Sequence, residues 1–278
     1  MSEKLTIVKV GGAVVEDEAQ LQQLLADFIA IEGPKMLVHG GGRRATKVAE
    51  RLGIETKMVE GRRITDASML EVVTMVYGGL VNKHIVAALQ ALGADAIGLT
   101  GADGDIIRSV KRPPVSVVGG APVSVVGGSP ADIIDFGFVG DVKTANGAKM
   151  AHFIAGGMIP VVAPLTHDGQ GNLLNTNADT MAQTTATAMA AEGYDVTLIY
   201  AFEKAGVLAD ASDETSVIST ITPKDFERLK ADGTISGGML PKIENALAAV
   251  RAGVKRVVIT NARAIGKGGG TVITLGNE

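Results

Sequence analysis

The sequence predicts an α/β fold in which a mainly parallel sheet is covered by helices on both faces. The chain has 278 residues, 46% of them hydrophobic and 20% charged, which is ordinary for a globular protein and excludes a disordered chain. Strand-like and helix-like patterns alternate over almost its whole length. Strands that are separated by helices pair mainly in parallel and are buried on both faces.

Each predicted element follows from a local pattern. The first strand, 5–10, is rich in β-branched residues and ends at Gly11 and Gly12. The next segment is a helix, because apolar residues such as Leu21, Leu24 and Phe28 recur on one side of it. The predicted strands are 5–10, 35–39, 94–100, 159–163, 196–200, 255–260 and 271–275. The predicted helices are 17–31, 43–52, 67–92 with a break near Gly78-Gly79, 143–155, 178–192, 223–231 and 239–251.

Two further segments carry local signals. The run 168–172 (DGQGN) predicts a hairpin turn. The octet 114–121 (PVSVVGGA) is followed at once by the near-copy 122–129 (PVSVVGGS). The two octets form either a hairpin or a surface loop; we favour the loop, because loops tolerate insertions at small entropic cost, and we assign it no chemistry.

Composition excludes several classes of protein. The chain has no Cys, which excludes disulfides, thiolate metal sites and a cysteine nucleophile. It has no Trp, 3% aromatic residues and a net charge of -4 without a basic stripe, so we expect no nucleic-acid partner. No stretch approaches the roughly 20 apolar residues of a spanning helix, and no signal peptide precedes the first strand. We therefore expect a cytoplasmic protein with no membrane partner.

The 36 glycines are nearly twice the usual share of roughly 7%, and several follow predicted strands. The clusters are Lys9-Val-Gly-Gly12, His39-Gly-Gly-Gly42 and Gly101-Ala-Asp-Gly104. Open α/β sheets bind ligands at the carboxyl ends of their strands. Glycine lets backbone N–H groups approach an anion, and a helix N-terminus adds further donors. Several such turns at equivalent positions indicate an anion site rather than plain tight turns.

Known motifs narrow the kind of site. The Walker pattern G-x-x-x-x-G-K-[ST] and the G-x-S-x-G elbow are absent, and the four histidines have no metal-ligand spacing, so we expect no protein metal site. Gly40 to Ala45 (GGGRRA) fits G-x-G-x-x-A, with Glu60 about twenty residues on, which makes an NAD(P)-binding oxidoreductase the alternative. Against it, the motif follows the second strand, and the other glycine clusters stay unexplained.

In their order and spacing, these motifs resemble the acetylglutamate kinases of the amino acid kinase superfamily over nearly the whole chain. The resemblance implies a three-layer αβα sandwich with a mainly parallel central sheet. It also implies transfer of the γ-phosphoryl group of ATP to the side-chain carboxylate of an N-acylated glutamate, an early step of arginine biosynthesis. The segments that carry it are 9–12 (KVGG), 37–42 (LVHGGG), 61–65 (GRRIT), 82–83 (NK), 98–104 (GLTGADG), 137–141 (GFVGD), 175–179 (NTNAD), 206–208 (GVL) and 235–242 (ISGGMLPK).

The resemblance assigns catalytic roles to Lys9, Lys242 and Asp179. Lys9 and Lys242 match the lysines that stabilise the transition state and the leaving ADP, and Asp179 matches the carboxylate that holds both. The acceptor carboxylate, with a free pKa near 4.3, is ionised at neutral pH, so no general base is needed. Catalysis then rests on positioning and positive charge. A solvated surface charge is the alternative for each lysine.

The resemblance also assigns two binding sets. Gly41, Gly42, Arg63, Asn175 and Asn177 would bind the acyl-glutamate, with Arg63 on its α-carboxylate. Magnesium is expected as the ATP chelate, without a dedicated protein site. Glu203 departs from the family pattern, which usually has aspartate there. The residues expected at the nucleotide are Gly11, Gly12, Glu203, Lys204, Gly206, Val207, Leu208, Thr234, Ile235 and Ser236.

The acyl group is left open by the sequence. N-succinylglutamate carries an additional carboxylate and would need a further cation, which Arg43, Arg44 or Arg62 could supply; the alternative is that these are ordinary surface charges. N-acetylaminoadipate, one methylene longer, is a third candidate.

The organisation expected from the resemblance is a single domain over 1–278. Its lobe 1–177 would bind the acyl-glutamate and dimerise, and its lobe 178–278 would bind ATP. Arginine-inhibited hexamers of this family carry an additional amino-terminal helix, for which 1–4 leaves no room, so we expect an arginine-insensitive homodimer. A non-catalytic nucleotide or amino-acid sensor on the same fold is a further alternative, which the retention of Lys9, Asp179 and Lys242 argues against.

Overall fold

The secondary structure alternates between strands and helices along the chain. The computed structural model describes residues 2–59, 61–118, 121–123, 133–210, 212–237 and 239–276. The strands are β1 (Lys4–Val10), β2 (Lys35–His39), β3 (Met58–Val59), β4 (Arg62–Arg63), β5 (Ala96–Leu99), β6 (Ile107–Lys111), β7 (Val115–Val118), β8 (Ala121–Val123), β9 (Ile133–Ile134), β10 (Gly140–Ala145), β11 (Ile159–Val162), β12 (Leu165–His167), β13 (Leu173–Asn175), β14 (Asp195–Phe202), β15 (Thr220–Ile221), β16 (Arg256–Asn261) and β17 (Thr271–Ile273). The helices are α1 (Gly12–Glu16), α2 (Glu18–Ala30), α3 (Gly42–Arg51), α4 (Ala67–Val73), α5 (Asn82–Ala91), α6 (Gly147–Ala155), α7 (Ala178–Ala191), α8 (Pro223–Ala231) and α9 (Met239–Arg251), with a π-helical turn at Thr74–Val81.

The central sheet has the strand order β15-β17-β16-β14-β1-β2-β11-β5. The pairings from β16 to β5 are all parallel, and only β17 and β15 run against them. The prediction of a mainly parallel sheet is confirmed.

Both faces of this sheet are buried under helices. Neighbouring residues of β1 point to opposite faces: Ile7 packs in one core with Met181 of α7, and Val8 packs in a second core with Leu25 of α2 and Ile85 of α5. All five side chains are fully buried. The fold is therefore a three-layer αβα sandwich, as predicted.

The register of the central strands determines where a ligand can lie. Val10, near the end of β1, is level with His39 of β2 on one side and with Ala201 of β14 on the other. The loops that leave these three strands therefore emerge side by side, at the edge of the sheet where α/β proteins bind ligands.

A smaller sheet, ordered β10-β6-β12-β13, completes the amino-terminal half. Its strands β12 and β13 form the predicted hairpin, because the carboxylate of Asp168 accepts hydrogen bonds from the backbone N–H groups of Gln170 and Asn172. The hairpin returns the chain to the sheet edge at Asn175.

The prediction of a helix over 143–155 is wrong at its start. Residues 143–145 belong to β10, which pairs with β6 and places Thr144 opposite Arg108. The helix begins only after Asn146, whose side chain accepts a hydrogen bond from the backbone N–H of Lys149. An Asn cap at this position fixes the boundary that apolar spacing alone misplaces.

The break expected at Gly78-Gly79 is also wrong. Helix α4, the π-helical turn and α5 form one continuous helix from Ala67 to Ala91. The π-helical turn absorbs the irregularity without ending the helix. By length and composition this helix is apolar enough to cross a membrane, which corrects the expectation that no stretch approaches that length. Its buried side chains, Met69 and Ile85 among them, pack in the second core beneath the sheet.

The duplicated octets lie only partly within the described residues. Strands β7 and β8 pair antiparallel, with Val118 opposite Ala121, so the described part forms a hairpin rather than the loop we favoured. Residues 119–120 and 124–132 lie outside the described residues.

Candidate active site

Two cavities open at the carboxyl ends of β1 and β2, and Gly40, Gly41 and Gly42 line both of them. The small cavity has a volume of about 180 Å³ and the large cleft a volume of about 380 Å³. We call the three residues between them the glycine loop. The same loop therefore borders both cavities.

Close packing requires glycine in this loop. A Cβ at Gly41 would lie 2.8 Å from Cδ1 of the Tyr77 ring, closer than real Cβ contacts. Gly41 also caps α3 without any side-chain hydrogen bond. The first N–H groups of α3 therefore face the ligand region with the positive end of the helix dipole.

Three charged residues predicted to be catalytic come together. Oδ1 of Asp179 lies 2.6 Å from Nζ of Lys9, and its Oδ2 lies 3.4 Å from Nζ of Lys242. Burial raises the pKa of Asp179, but the two ammonium groups outweigh burial and hold it below its ordinary value. Lys9 and Lys242 both line the large cleft.

Local structure positions this group. Asp179 lies in the first turn of α7, where the side chain of Asn177 accepts hydrogen bonds from the backbone N–H groups of Asp179 and Thr180. Nζ of Lys242 lies 5.8 Å from the centre of the Phe202 ring, so a cation–π contact supports it from β14. Phe202 itself lines the large cleft.

Arg63 lies in the wall of the small cavity, 7% exposed. Its Nη2 donates to the carbonyl oxygen of Gly42 at 2.8 Å and to Thr46 at 2.9 Å, and its Nη1 donates to Thr56 at 3.2 Å. Arg63 therefore links β4 to the glycine loop. Nη1 also donates to Sδ of Met69 at 3.9 Å, so four of the five guanidinium donors have acceptors within the described part of the protein.

The other residues predicted for the acyl-glutamate line the same cavity. The side chain of Asn175 donates to Oγ1 of Thr65 at 2.9 Å, and its backbone N–H donates to Phe138 at 2.8 Å. Asn177 lines the cavity from the start of α7. Gly41, Gly42, Arg63, Asn175 and Asn177 are thus brought together around one space.

The predicted nucleotide residues divide into two groups. Gly11, Gly12 and Glu203 line the large cleft, where Glu203 forms an exposed ion pair of 3.6 Å with Arg43. The remaining members are absent from its lining: Lys204, Gly206, Val207, Leu208, Thr234, Ile235 and Ser236.

Packing explains why part of that second group does not face the cleft. The side chains of Val207 and Ile235 are buried in the first core at 1% and 2% exposure. The backbone N–H of Val207 donates to Oγ1 of Thr271 at 2.8 Å. Lys204 lies 3.9 Å from Glu214. Burial therefore keeps the side chains of Val207 and Ile235 from a ligand, and the backbone N–H of Ile235 is also bonded, to the carbonyl oxygen of Leu229 at 2.9 Å.

Sequence reasoning missed Tyr77 and Phe202. Tyr77 lies in the π-helical turn and lines the small cavity, and Phe202 follows the predicted end of its strand. Apolar spacing marks both as ordinary core residues, so no sequence signal separates them. Glu60 and Gly238 lie outside the described residues. Within the described ranges, no group of three His, Asp or Glu side chains is placed to hold a metal ion.

The fold and this arrangement of lysines, carboxylate and glycine loop agree with a known class of phosphotransferases. The sequence model of the Amino acid kinase family matches residues 4–261. The chain belongs to the amino acid kinase family.

Its curated relatives include acetylglutamate kinases. The chain is 60% identical over 273 residues to acetylglutamate kinase from Phocaeicola vulgatus, which covers 98% of this chain and 99% of the relative. It is 59% identical over 273 residues to acetylglutamate kinase from Bacteroides thetaiotaomicron, again over 98% and 99% of the two chains. These relatives give no support to the oxidoreductase alternative.

A solved structure shares the fold. N-acetylglutamate synthase from Neisseria gonorrhoeae, complexed with coenzyme A and N-acetyl-glutamate, matches 100% of this chain and 61% of its own chain. The TM-score is 0.77 at 20% identity. At that identity the likeness shows the fold alone.

Proposed function

We propose that this chain transfers the γ-phosphoryl group of ATP to the side-chain carboxylate of N-acetyl-L-glutamate, in arginine biosynthesis. The observation that carries the proposal is the glycine loop, which borders both the small cavity with Arg63 and the large cleft with Lys9 and Lys242. The acyl-glutamate would occupy the small cavity and the phosphates of ATP the large cleft. The two reactants then meet at the loop.

In this scheme, positive charge around the two reactants lowers the barrier to phosphoryl transfer. The acceptor carboxylate is ionised at neutral pH and attacks without a general base. The obstacle is the approach of one anion to another, which Lys9, Lys242 and the backbone N–H groups of the loop reduce. Lys242 would stabilise the charge on the leaving ADP, and Lys9 the transferred phosphoryl group. Asp179 holds the two ammonium groups apart and in place.

Magnesium would enter as the chelate of ATP, bound by phosphate oxygens and water. We assign it no protein ligand. Gly11 and Gly12 would approach the phosphates, because no atom lies within 4 Å of a Cβ placed at Gly12 and its backbone is open to the cleft. Glu203 and the segments 204–208 and 234–236 are proposed to contact the rest of the nucleotide.

A variant of one arginine, Arg62, tests which acyl group the substrate carries. Of the three arginines that could meet a succinyl carboxylate, Arg62 lines the small cavity, Arg43 lines the large cleft and Arg44 lines a surface depression beside His84. If the chain used N-succinylglutamate, Arg62→Gln would raise the KM for that substrate tenfold and the matched control Arg44→Gln would not. We expect N-acetylglutamate to be preferred and both variants to keep its KM within threefold.

We further propose that residues 1–177 form the acyl-glutamate lobe and residues 178–278 the ATP lobe of one domain. We also propose that the protein is a homodimer formed through the first lobe, and that it is cytoplasmic. Met75 and Leu80, on the long helix of that lobe, are exposed apolar side chains that a partner would cover. Sedimentation velocity tests the dimer: a monomer at micromolar concentration would contradict it. Insensitivity to millimolar arginine is expected in the same preparation.

Activity is tested by ADP release and by trapping the acyl phosphate with hydroxylamine. The panel is N-acetylglutamate, N-succinylglutamate, N-acetylaminoadipate, aspartate and carbamate, each with ATP and Mg²⁺. We expect ADP and hydroxamate in equal amounts with N-acetylglutamate. Nucleotide binding without ADP release from any acceptor would favour the sensor, and quenching of NADH fluorescence would favour the oxidoreductase.

A further inference from the structure

A fully buried histidine lies directly behind the glycine loop. His39, the last residue of β2, has no exposed surface, and the proposed mechanism does not use it. Its Nδ1 lies 2.7 Å from the carbonyl oxygen of Gly40, and its Nε2 lies 3.1 Å from Nδ2 of Asn82. Asn82 is also buried, at 1% exposure.

The neighbouring groups determine which nitrogen carries the proton. A carbonyl oxygen only accepts, so Nδ1 of His39 is the donor to Gly40. Nε2 then accepts from the amide of Asn82, whose other hydrogen goes to the carbonyl oxygen of Val161 at 2.9 Å. Burial lowers the pKa of His39 to about 4; the Gly40 hydrogen bond opposes this, and the nearby ammonium group of Lys83 adds a smaller decrease. The ring is neutral at physiological pH.

The far end of this chain of hydrogen bonds is anchored in the sheet. Nζ of Lys83 donates to Oδ1 of Asn82 at 3.0 Å and to the carbonyl oxygen of Gly98 at 3.1 Å. A Cβ at Gly98 would collide with Oδ1 of Asn82 and lie 2.6 Å from Nζ of Lys83. Glycine at 98 is therefore what lets the chain of bonds reach β5.

The bond to Gly40 fixes one peptide plane of the glycine loop. The peptide between Gly40 and Gly41 is planar and trans, so its carbonyl and its N–H point in opposite directions. With the carbonyl held by buried His39, the N–H of Gly41 points away from the core. Gly41 lines both cavities, and its N–H has no hydrogen-bond acceptor among the described residues.

We infer that His39 is a positioning residue, which aims the N–H of Gly41 at the phosphoryl group through its bond to the carbonyl of Gly40. This inference rests on the proposed function. The N–H is aimed before substrate arrives, so no reorientation is needed during transfer. Asn82 and Lys83 keep the ring in the tautomer that can donate.

Two substitutions at His39 test the roles of Nδ1 and Nε2 separately. His39→Asn keeps a donor near the position of Nδ1 and loses the partner of Asn82. His39→Gln keeps an acceptor near the position of Nε2 and loses the donor to Gly40. We expect kcat to fall tenfold or more in His39→Gln and to stay within threefold in His39→Asn, with both KM values within threefold. Calorimetry should show ADP with aluminium fluoride, a phosphoryl-transfer analogue, binding His39→Gln at least tenfold more weakly.

Urea unfolding supplies the structural control. His39→Gln leaves the carbonyl oxygen of Gly40 unpaired and His39→Asn leaves an amide hydrogen of Asn82 unpaired, so the polar losses are alike. His39→Asn also leaves the larger cavity, so it should unfold at a lower urea concentration than His39→Gln, although it is the more active variant. Equal losses of kcat in both variants, or activity that follows the order of stability, would overturn the positioning role. No ADP release by the wild-type chain with any acceptor would refute the proposed function, and the positioning role with it.

Discussion

Nζ of Lys9 lies 2.6 Å from Oδ1 of Asp179, and both side chains are largely buried. A buried ammonium group without a partner carries a large desolvation cost, so this carboxylate makes an inward-facing lysine tolerable at the end of β1. The same carboxylate also contacts Lys242 from the other side. One acidic residue therefore keeps two positive charges at the large cleft.

Replacing Lys242 by alanine should lower kcat a hundredfold or more, because one preorganised charge at the reacting group contributes about 3 kcal/mol. The matched control is Lys230→Ala, since Lys230 also pairs with a carboxylate, that of Glu244, but lies on α8 away from the cleft. ADP release under saturating substrates measures both. Wild-type turnover by Lys242→Ala would remove Lys242 from the leaving-group role.

Arg63→Lys should raise the KM for the acyl-glutamate tenfold or more, about 1.4 kcal/mol, because an ammonium group cannot reproduce the guanidinium fork. The change also removes bonds to Gly42 and Thr46, so urea unfolding must be measured beside the kinetics. Thr56→Val is the control, since it removes an acceptor of Arg63 and leaves the guanidinium group. An unchanged KM in Arg63→Lys would place the α-carboxylate elsewhere.

Gly41→Ala should reduce kcat tenfold or more, because the new methyl group would lie 2.8 Å from the Tyr77 ring and displace the loop. Gly79→Ala is the matched control: it lies in the same long helix as Tyr77, and a Cβ there meets nothing within 4 Å. Steady-state kinetics on both variants decide the point. If Gly41→Ala kept full activity, the backbone of the loop would not be close to the transferred group.

Stability should fall between pH 7 and pH 5 because of His39. The unfolded chain takes up a proton on this imidazole below its ordinary pKa of 6.5, whereas the folded chain does so only near pH 4. The unfolded state therefore binds more protons across this interval, and the free energy of unfolding drops by about 2 kcal/mol.

Urea unfolding at the two pH values measures that drop, and His39→Gln, which has no titratable group there, should lose it. The same slope in the variant and in the wild-type chain would show that His39 does not stay neutral in the folded state.

Much of the site could be predicted because its residues stand next to secondary-structure boundaries. Lys9 lies near the end of β1, the glycine loop follows β2 and Asp179 lies in the first turn of a helix, so chain order alone brings them to one edge of a parallel sheet. The resemblance to acetylglutamate kinases then adds Lys242 and Arg63, which are far from Lys9 in the sequence.

The parts that could not be predicted depend on packing between distant elements. The Tyr77 ring, which lies against Gly41, belongs to a π-helical turn, and no apolar periodicity predicts such a turn. His39 is buried but forms hydrogen bonds through its ring, and its partner Asn82 comes from another element. The boundary at Asn146 depends on a cap, which apolar spacing ignores.

The π-helical turn at Thr74–Val81 determines how the two halves of the long helix are phased. A π turn holds about one more residue than an α turn, and each α-helical residue corresponds to about 100° of rotation. Tyr77 meets the glycine loop from the cavity side, and Asn82, a few residues on, meets His39 from behind it. Because the turn takes up one extra residue, the part of the helix after it keeps the orientation in which Asn82 meets His39. The irregular turn thus keeps both halves of the helix in phase, so that one helix supports the glycine loop from two sides.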